Sequence, residues 1–168
     1  MSRGFVKEDD QEEVPRVPQR AYLPEGVTNF VTPFGMNQML AEKQMFVNEK
    51  NNLNNANDNE KRIALNYINA KLQLLNNRIV EAKIVNLNEQ PQNEIRFGAM
   101  ITLKIEASKN IQTFQIVGVD EVDISKGKVS FISPIAKALI SKKIGDKVIL
   151  KQAKKDIVFE IIEISYIL

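Results

Sequence analysis

Along this 168-residue chain the spacing of apolar positions changes twice, and each change marks a boundary between elements. Beyond residue 30, Met39, Phe46 and Leu53 recur at seven-residue steps, with Met36, Leu40 and Val47 beside them. A heptad stripe of this kind lays one apolar seam along a helix. Thr32-Pro33 supplies the start, because a threonine hydroxyl accepts from a first-turn amide and proline lacks an amide that would go unbonded there. The stripe stops in Asn51-Asn-Leu-Asn-Asn-Ala-Asn-Asp58-Asn, where asparagine amides compete with the backbone for hydrogen bonds and favour turns. It resumes with Leu65, Ile68, Leu72, Leu75, Ile79 and Ala82, at alternating steps of three and four. Two arms of about twenty residues with matching seams and a short polar link predict an antiparallel coiled-coil hairpin roughly 30 Å long. Neither arm carries a second broad apolar face, so the hairpin is expected to project; a helical pair packed on the rest of the protein is the alternative.

From residue 96 the period falls to two. Ile101, Leu103 and Ile105 alternate with Thr102, Lys104 and Glu106, the pattern of a strand with one buried face. Further strands are predicted around 112–118, 128–132, 147–151 and 157–166. Between the third and fourth, Ser133 stands as N-cap and Pro134 as first helical residue of a short helix. A short helix crossing one face of an antiparallel sheet makes the fold class α+β. The expected organisation is an acidic arm over residues 1–30, a hairpin over 31–85 and a sheet domain over 86–168. In the arm, Glu8, Asp9, Asp10, Glu12 and Glu13 precede Pro15, Pro18 and Pro24, a composition that buries too little apolar surface to offset ordering entropy.

Composition narrows the chemistry. Histidine, cysteine and tryptophan are absent, which removes Ser-His-Asp and Cys-His catalysis and the usual zinc ligands. Carboxylates remain, so any bound cation is expected to be a hard one held by oxygen. The net charge of +2 gives no broad basic field for direct nucleic-acid reading. No run is long enough to span a membrane and the N-terminus has no apolar signal core, so the expected location is the cytoplasm.

Several spaced motifs carry a resemblance. Phe97-Gly98-Ala99, Gln115-Ile-Val-Gly118 with its acidic follow-on, Ser133-Pro-Ile-Ala136 and Gly145-Asp146, together with the opening Val31-Thr32-Pro-Phe-Gly35, resemble in order and spacing the GreA/GreB family of transcript-cleavage factors. The resemblance covers residues 30 to 168. It implies an FK506-binding-protein-like sheet domain that docks at the rim of the secondary channel of bacterial RNA polymerase. It implies too that the hairpin enters the channel, where acids at its tip help hold a magnesium ion while the polymerase's own site hydrolyses backtracked RNA. The protein is thus expected to be no enzyme itself, to hold no cofactor alone, and to act as a monomer.

On this reading the tip acids are Asp58 and Glu60, assisting catalysis in trans and sharing magnesium with the polymerase. The family places its two acids three residues apart. Here, if Glu60 takes the second position the first falls on Asn57, and if Asp58 takes the first the second falls on Lys61. The competing reading is structural: Asn57 or Asp58 caps the second helix and Glu60 sits at its positive end. Ser133, Pro134, Ile135 and Ala136 are expected to face the polymerase, and Asp120, Glu121 and Asp123 to form a solvated turn or a contact for a basic patch. Three other functions compete: a secondary-channel regulator that does not cleave, a peptidyl-prolyl isomerase, and a coiled-coil protein pairing between chains.

Overall fold

A computed structural model describes residues 14–54 and 57–167; the acidic run Glu8–Glu13 lies outside the described residues. The chain opens with a three-residue strand β1 (Asn29–Val31), followed by helix α1 (Pro33–Asn51). Helix α2 (Asp58–Glu81) returns and runs directly into strand β2 (Ala82–Ile84). The second part holds β3 (Ala99–Ile105), β4 (Ile111–Val117), β5 (Lys128–Ser130), α3 (Pro134–Leu139), β6 (Lys147–Leu150) and β7 (Ile157–Tyr166).

The first helix begins as its sequence dictates. The Thr32 hydroxyl accepts from the Gly35 amide at 2.9 Å, and Pro33 fills the first turn. The helices lie antiparallel: Lys50 near the end of α1 donates to Asn69 of α2, while Asn29 at the base donates to the Arg78 carbonyl. Met39 and Phe46 meet Ile68 and Leu75 in a small core that Val31 closes at the bottom. Lys71 lies over both the Phe46 and Tyr67 rings, at 4.4 and 4.8 Å, covering the upper edge of that seam. Two seam assignments differ from expectation. Leu53 still packs on the seam but lies beyond the helix end, and Leu40, one position past Met39, is turned outward and exposed.

The two short strands are a feature the periodicity does not announce. β1 and β2 pair in parallel, Asn29 with Ala82 and Val31 with Ile84, tying the entrance of α1 to the exit of α2.

The larger sheet has the strand order β5-β4-β3-β7-β6. Its pairs are antiparallel except β4 with β5, a correction to the all-antiparallel expectation. The physical reason lies in residues 118–127, which fold into two short 3-10 turns and re-enter the sheet beside β4 in the same direction. The β3–β7 register shifts at Thr102/Leu103, which pair with Glu163 and Ile161 and leave Ile162 as the extra residue. The bulge changes which parity faces inward: Phe159 and Ile161 are buried before it, Ile164 and Tyr166 after it. Those side chains, with Ile101, Leu103, Ile116 and the Ala136–Leu139 face of α3, make the main core. The result is a curled mixed sheet with one helix on it.

Candidate functional site: the hairpin tip and the acidic turn

At the tip, Asn57 is the residue that caps α2. Its extended backbone lets Oδ1 accept from the Glu60 amide at 2.8 Å. Asp58 and Glu60 occupy the first turn, where their charge meets the positive end of the helix. Both side chains are exposed, as are Asn59, Lys61, Arg62 and Ile63 around them. The overhang follows from unequal arm lengths. α1 has 19 residues and α2 has 24, so α2 runs on beyond the level at which Lys50 meets Asn69.

The two tip acids do not form a metal site by themselves. Residues two apart on a helix point about 200° away from each other, so their carboxylates do not converge on one ion. Among the described residues no group of three or more acids is placed to hold a cation. The tip pair alone does not supply the converging oxygens that a magnesium ion needs.

The acidic turn after β4 is built differently from either expectation for it. Asp120 and Glu121 turn inward. Asp120 Oδ1 accepts from Arg20 Nε at 2.8 Å, and its Oδ2 lies 3.0 Å from Arg78 Nε, with only 7% of the side chain exposed. Arg20 also forms a two-pronged pair with Glu42 at 3.0 and 3.1 Å, and Arg78 donates to the Ala21 carbonyl. A single carboxylate thus gathers the segment before β1, α1 through Glu42, α2 through Arg78, and the sheet domain. Burial pulls the Arg20 guanidinium down, but the carboxylates of Glu42 and Asp120 outweigh it and hold the group above its usual range.

Glu121 completes the joint. Its Oε2 accepts from the Thr32 hydroxyl at 2.6 Å, and its Oε1 lies 3.3 Å from Lys128 Nζ. Thr32 therefore donates to Glu121 while accepting from Gly35. A Cβ on Gly35 would lie 2.5 Å from Glu121 Oε2, so any larger residue there has to displace that carboxylate. A Cβ on Gly118 would lie 2.6 Å from the Phe30 carbonyl oxygen, so the turn and β1 approach backbone to backbone. Phe30, Phe97 and Phe131 close the same joint as a ring trio with centroids 5.7 to 5.9 Å apart.

Of the acidic turn only Asp123 stays at the surface. The Ser125 hydroxyl and then Lys126 hold its carboxyl below the usual carboxylate range. In the α3 segment Ser133 Oγ accepts from the Ala136 amide at 3.3 Å, as an N-cap should. Pro134 is exposed and Ser133 and Ile135 are half-buried, whereas Ala136 is fully buried in the core. The face expected over Ser133–Ala136 is therefore limited to its first three residues. Sequence reading missed Arg20, Glu42 and Arg78. Only Arg78, a basic residue in the last turn of a helix, carried a local signal, and that signal is satisfied by the helix dipole alone.

The chain that builds this capped helical pair, buried acidic turn and curled sheet is similar over part of its length to known transcription elongation factors. Residues 90–166 match the family model described as "Transcription elongation factor, GreA/GreB, C-term". The chain is 39% identical over 100 residues to the transcription elongation factor GreA of Pelobacter propionicus, covering 60% of this chain and 63% of that protein. It is 40% identical to that of Trichlorobacter lovleyi, with the same coverage. The chain thus spans somewhat less than two thirds of the curated relatives it matches. Among solved structures, a prokaryotic transcription elongation factor GreA/GreB from Nitrosomonas europaea overlaps 83% of this chain and 99% of its own at 16% identity, with a TM-score of 0.43. The GreA factor homolog 1 protein of Thermus thermophilus overlaps to the same extent at 19% identity, with a TM-score of 0.40. Residues 90–166 are thus similar to the C-terminal part of GreA/GreB transcription elongation factors.

Proposed function

We propose that this protein is an accessory factor of bacterial RNA polymerase, acting in the cytoplasm as a monomer. The helical pair is a coiled-coil probe for the secondary channel, and the FK506-binding-protein-like sheet domain is its anchor at the channel rim. Ser133, Pro134, Ile135 and Asp123 on the anchor are the contacts with the rim. Asp58 or Glu60 at the tip acts in trans on the polymerase's own centre to stimulate cleavage of backtracked RNA, so the chain is not itself the catalyst. The observation that carries this reading is the overhang of α2, which holds two exposed acids beyond the end of α1 and away from the sheet domain. The test is a backtracked complex assembled from core polymerase: the protein should bind it and shorten the transcript, and Asp58→Ala with Glu60→Ala should bind and not shorten it.

A second reading has its own support. The two acids diverge around the helix and Asn57 is used up as the cap, which favours a factor that occupies the channel without promoting hydrolysis. Wild-type protein that binds the complex and leaves the transcript at full length decides for this reading.

A further inference from the structure

The overall charge of +2 conceals an uneven distribution. Between α3 and β7 the chain carries lysine at 142, 143, 147, 151, 154 and 155, and all six are exposed. They flank and include β6, which is an edge strand of the sheet. Lys147 pairs with Glu106 at 2.8 Å, and Glu160 faces it from β7. The other acids on this edge are Asp146, whose carboxylate accepts from the Lys143 amide, and Asp156. The remaining five lysines have no ion-pair partner among the described residues.

One or two lysines suffice to keep an edge strand from pairing with another chain. Six bunched along one strand and its two turns repel one another and gain only when a dense negative charge lies against them. We infer that this edge binds the phosphate backbone of duplex nucleic acid. The residue types point that way. Residues 141–156 contain no aromatic side chain to stack on unpaired bases and no arginine fork to grip a carboxylate, only compact ammonium charges. Lys143 to Lys151 spans at most roughly 26 Å of extended chain, against which a duplex presents a charge about every 1.7 Å of its axis. Contact of this kind reads no sequence. It is separate from the polymerase reading above and needs none of the residues named there.

The test is fluorescence anisotropy of a labelled 20-base-pair DNA duplex against the full chain, from 25 to 200 mM salt. Expected is a dissociation constant in the range of about 10⁻⁴ to 10⁻⁶ M that weakens steeply with salt. Changing Lys142, Lys143, Lys154 and Lys155 together to Gln should weaken binding at least tenfold at low salt and flatten the salt slope by roughly 3 to 4. An unchanged melting temperature shows that the variant is folded. No binding by the wild type, or equal binding by the variant, overturns the inference. Competition by poly-glutamate as strong as by unlabelled duplex overturns it too and assigns the edge, with its exposed Ile144 and Ile149, to an acidic protein instead.

Discussion

Arg20 and Asp120 are one hundred residues apart in sequence and 2.8 Å apart at their Nε and Oδ1 atoms. Arg20→Ala removes the link from the segment before β1 to both α1 and the sheet domain, but leaves Asp120 its partner Arg78. Hydrogen bonds to charged groups give an expected loss of about 1.5 to 3 kcal/mol. Asp120→Ala takes a partner from two guanidinium groups at once, leaving Arg20 with Glu42 and Arg78 with the Ala21 carbonyl, and should cost more, about 3 kcal/mol. Urea midpoints measure both, and the double variant should show a coupling of about 1 kcal/mol or more. Strict additivity would mean that the contact carries no stability.

Gly118→Ala tests the close approach of the acidic turn to β1. The added Cβ meets a backbone oxygen that cannot rotate away, so about 1 to 3 kcal/mol of destabilisation is expected. A thermal melt that matches the wild type within one degree contradicts it.

Tyr166 sets an alkaline limit. Burial raises its phenol above the usual value, while its hydroxyl donates to the Glu94 carbonyl and accepts from the Arg96 amide. A raised folded-state value means the folded protein holds the proton more tightly than the unfolded chain does. The contribution is therefore complete below the ordinary tyrosine range near pH 10 and is lost as pH rises through the folded value. Stability measured from pH 8 to 11 should fall more steeply for wild type than for Tyr166→Phe. The variant itself should lose about 1 to 2 kcal/mol at neutral pH from the two abandoned backbone partners.

Asn57→Ala isolates the capping contribution at the tip. Loss of the cap should cost about 1 kcal/mol, because the Glu60 amide goes unbonded. Asp58→Ala with Glu60→Ala should cost less than about 1 kcal/mol, through the helix dipole alone. Denaturant titration distinguishes the two; if the acid pair proves the costlier, its carboxylates do more for the fold than the geometry assigns them.

Local signals made much of this molecule legible. Thr32-Pro33 and Ser133-Pro134 start helices where they stand, the three-four steps from Leu65 mark the buried face of α2, and alternation from Ile101 gives β3. Less legible were features that depend on distant partners. β1 and β2 are three residues each, too short for a period, and exist because each satisfies the other's backbone. The parallel β4–β5 pair depends on how a ten-residue connection turns. Asp120 and Glu121 read as surface acids because nothing near them in sequence neutralises them; their partners are Arg20, Arg78, Thr32 and, within reach, only Lys128. Leu40 shows the limit of a stripe read by eye: beside Met39 it fits the pattern, yet one helical step of about 100° carries it off the seam.

Because β1 and β2 lie side by side, the chain leaves the body of the protein and comes back at one point. Whole helical turns can be added to or deleted from both arms together without moving either foot. The length of the helical pair is thereby uncoupled from the foundation that holds it.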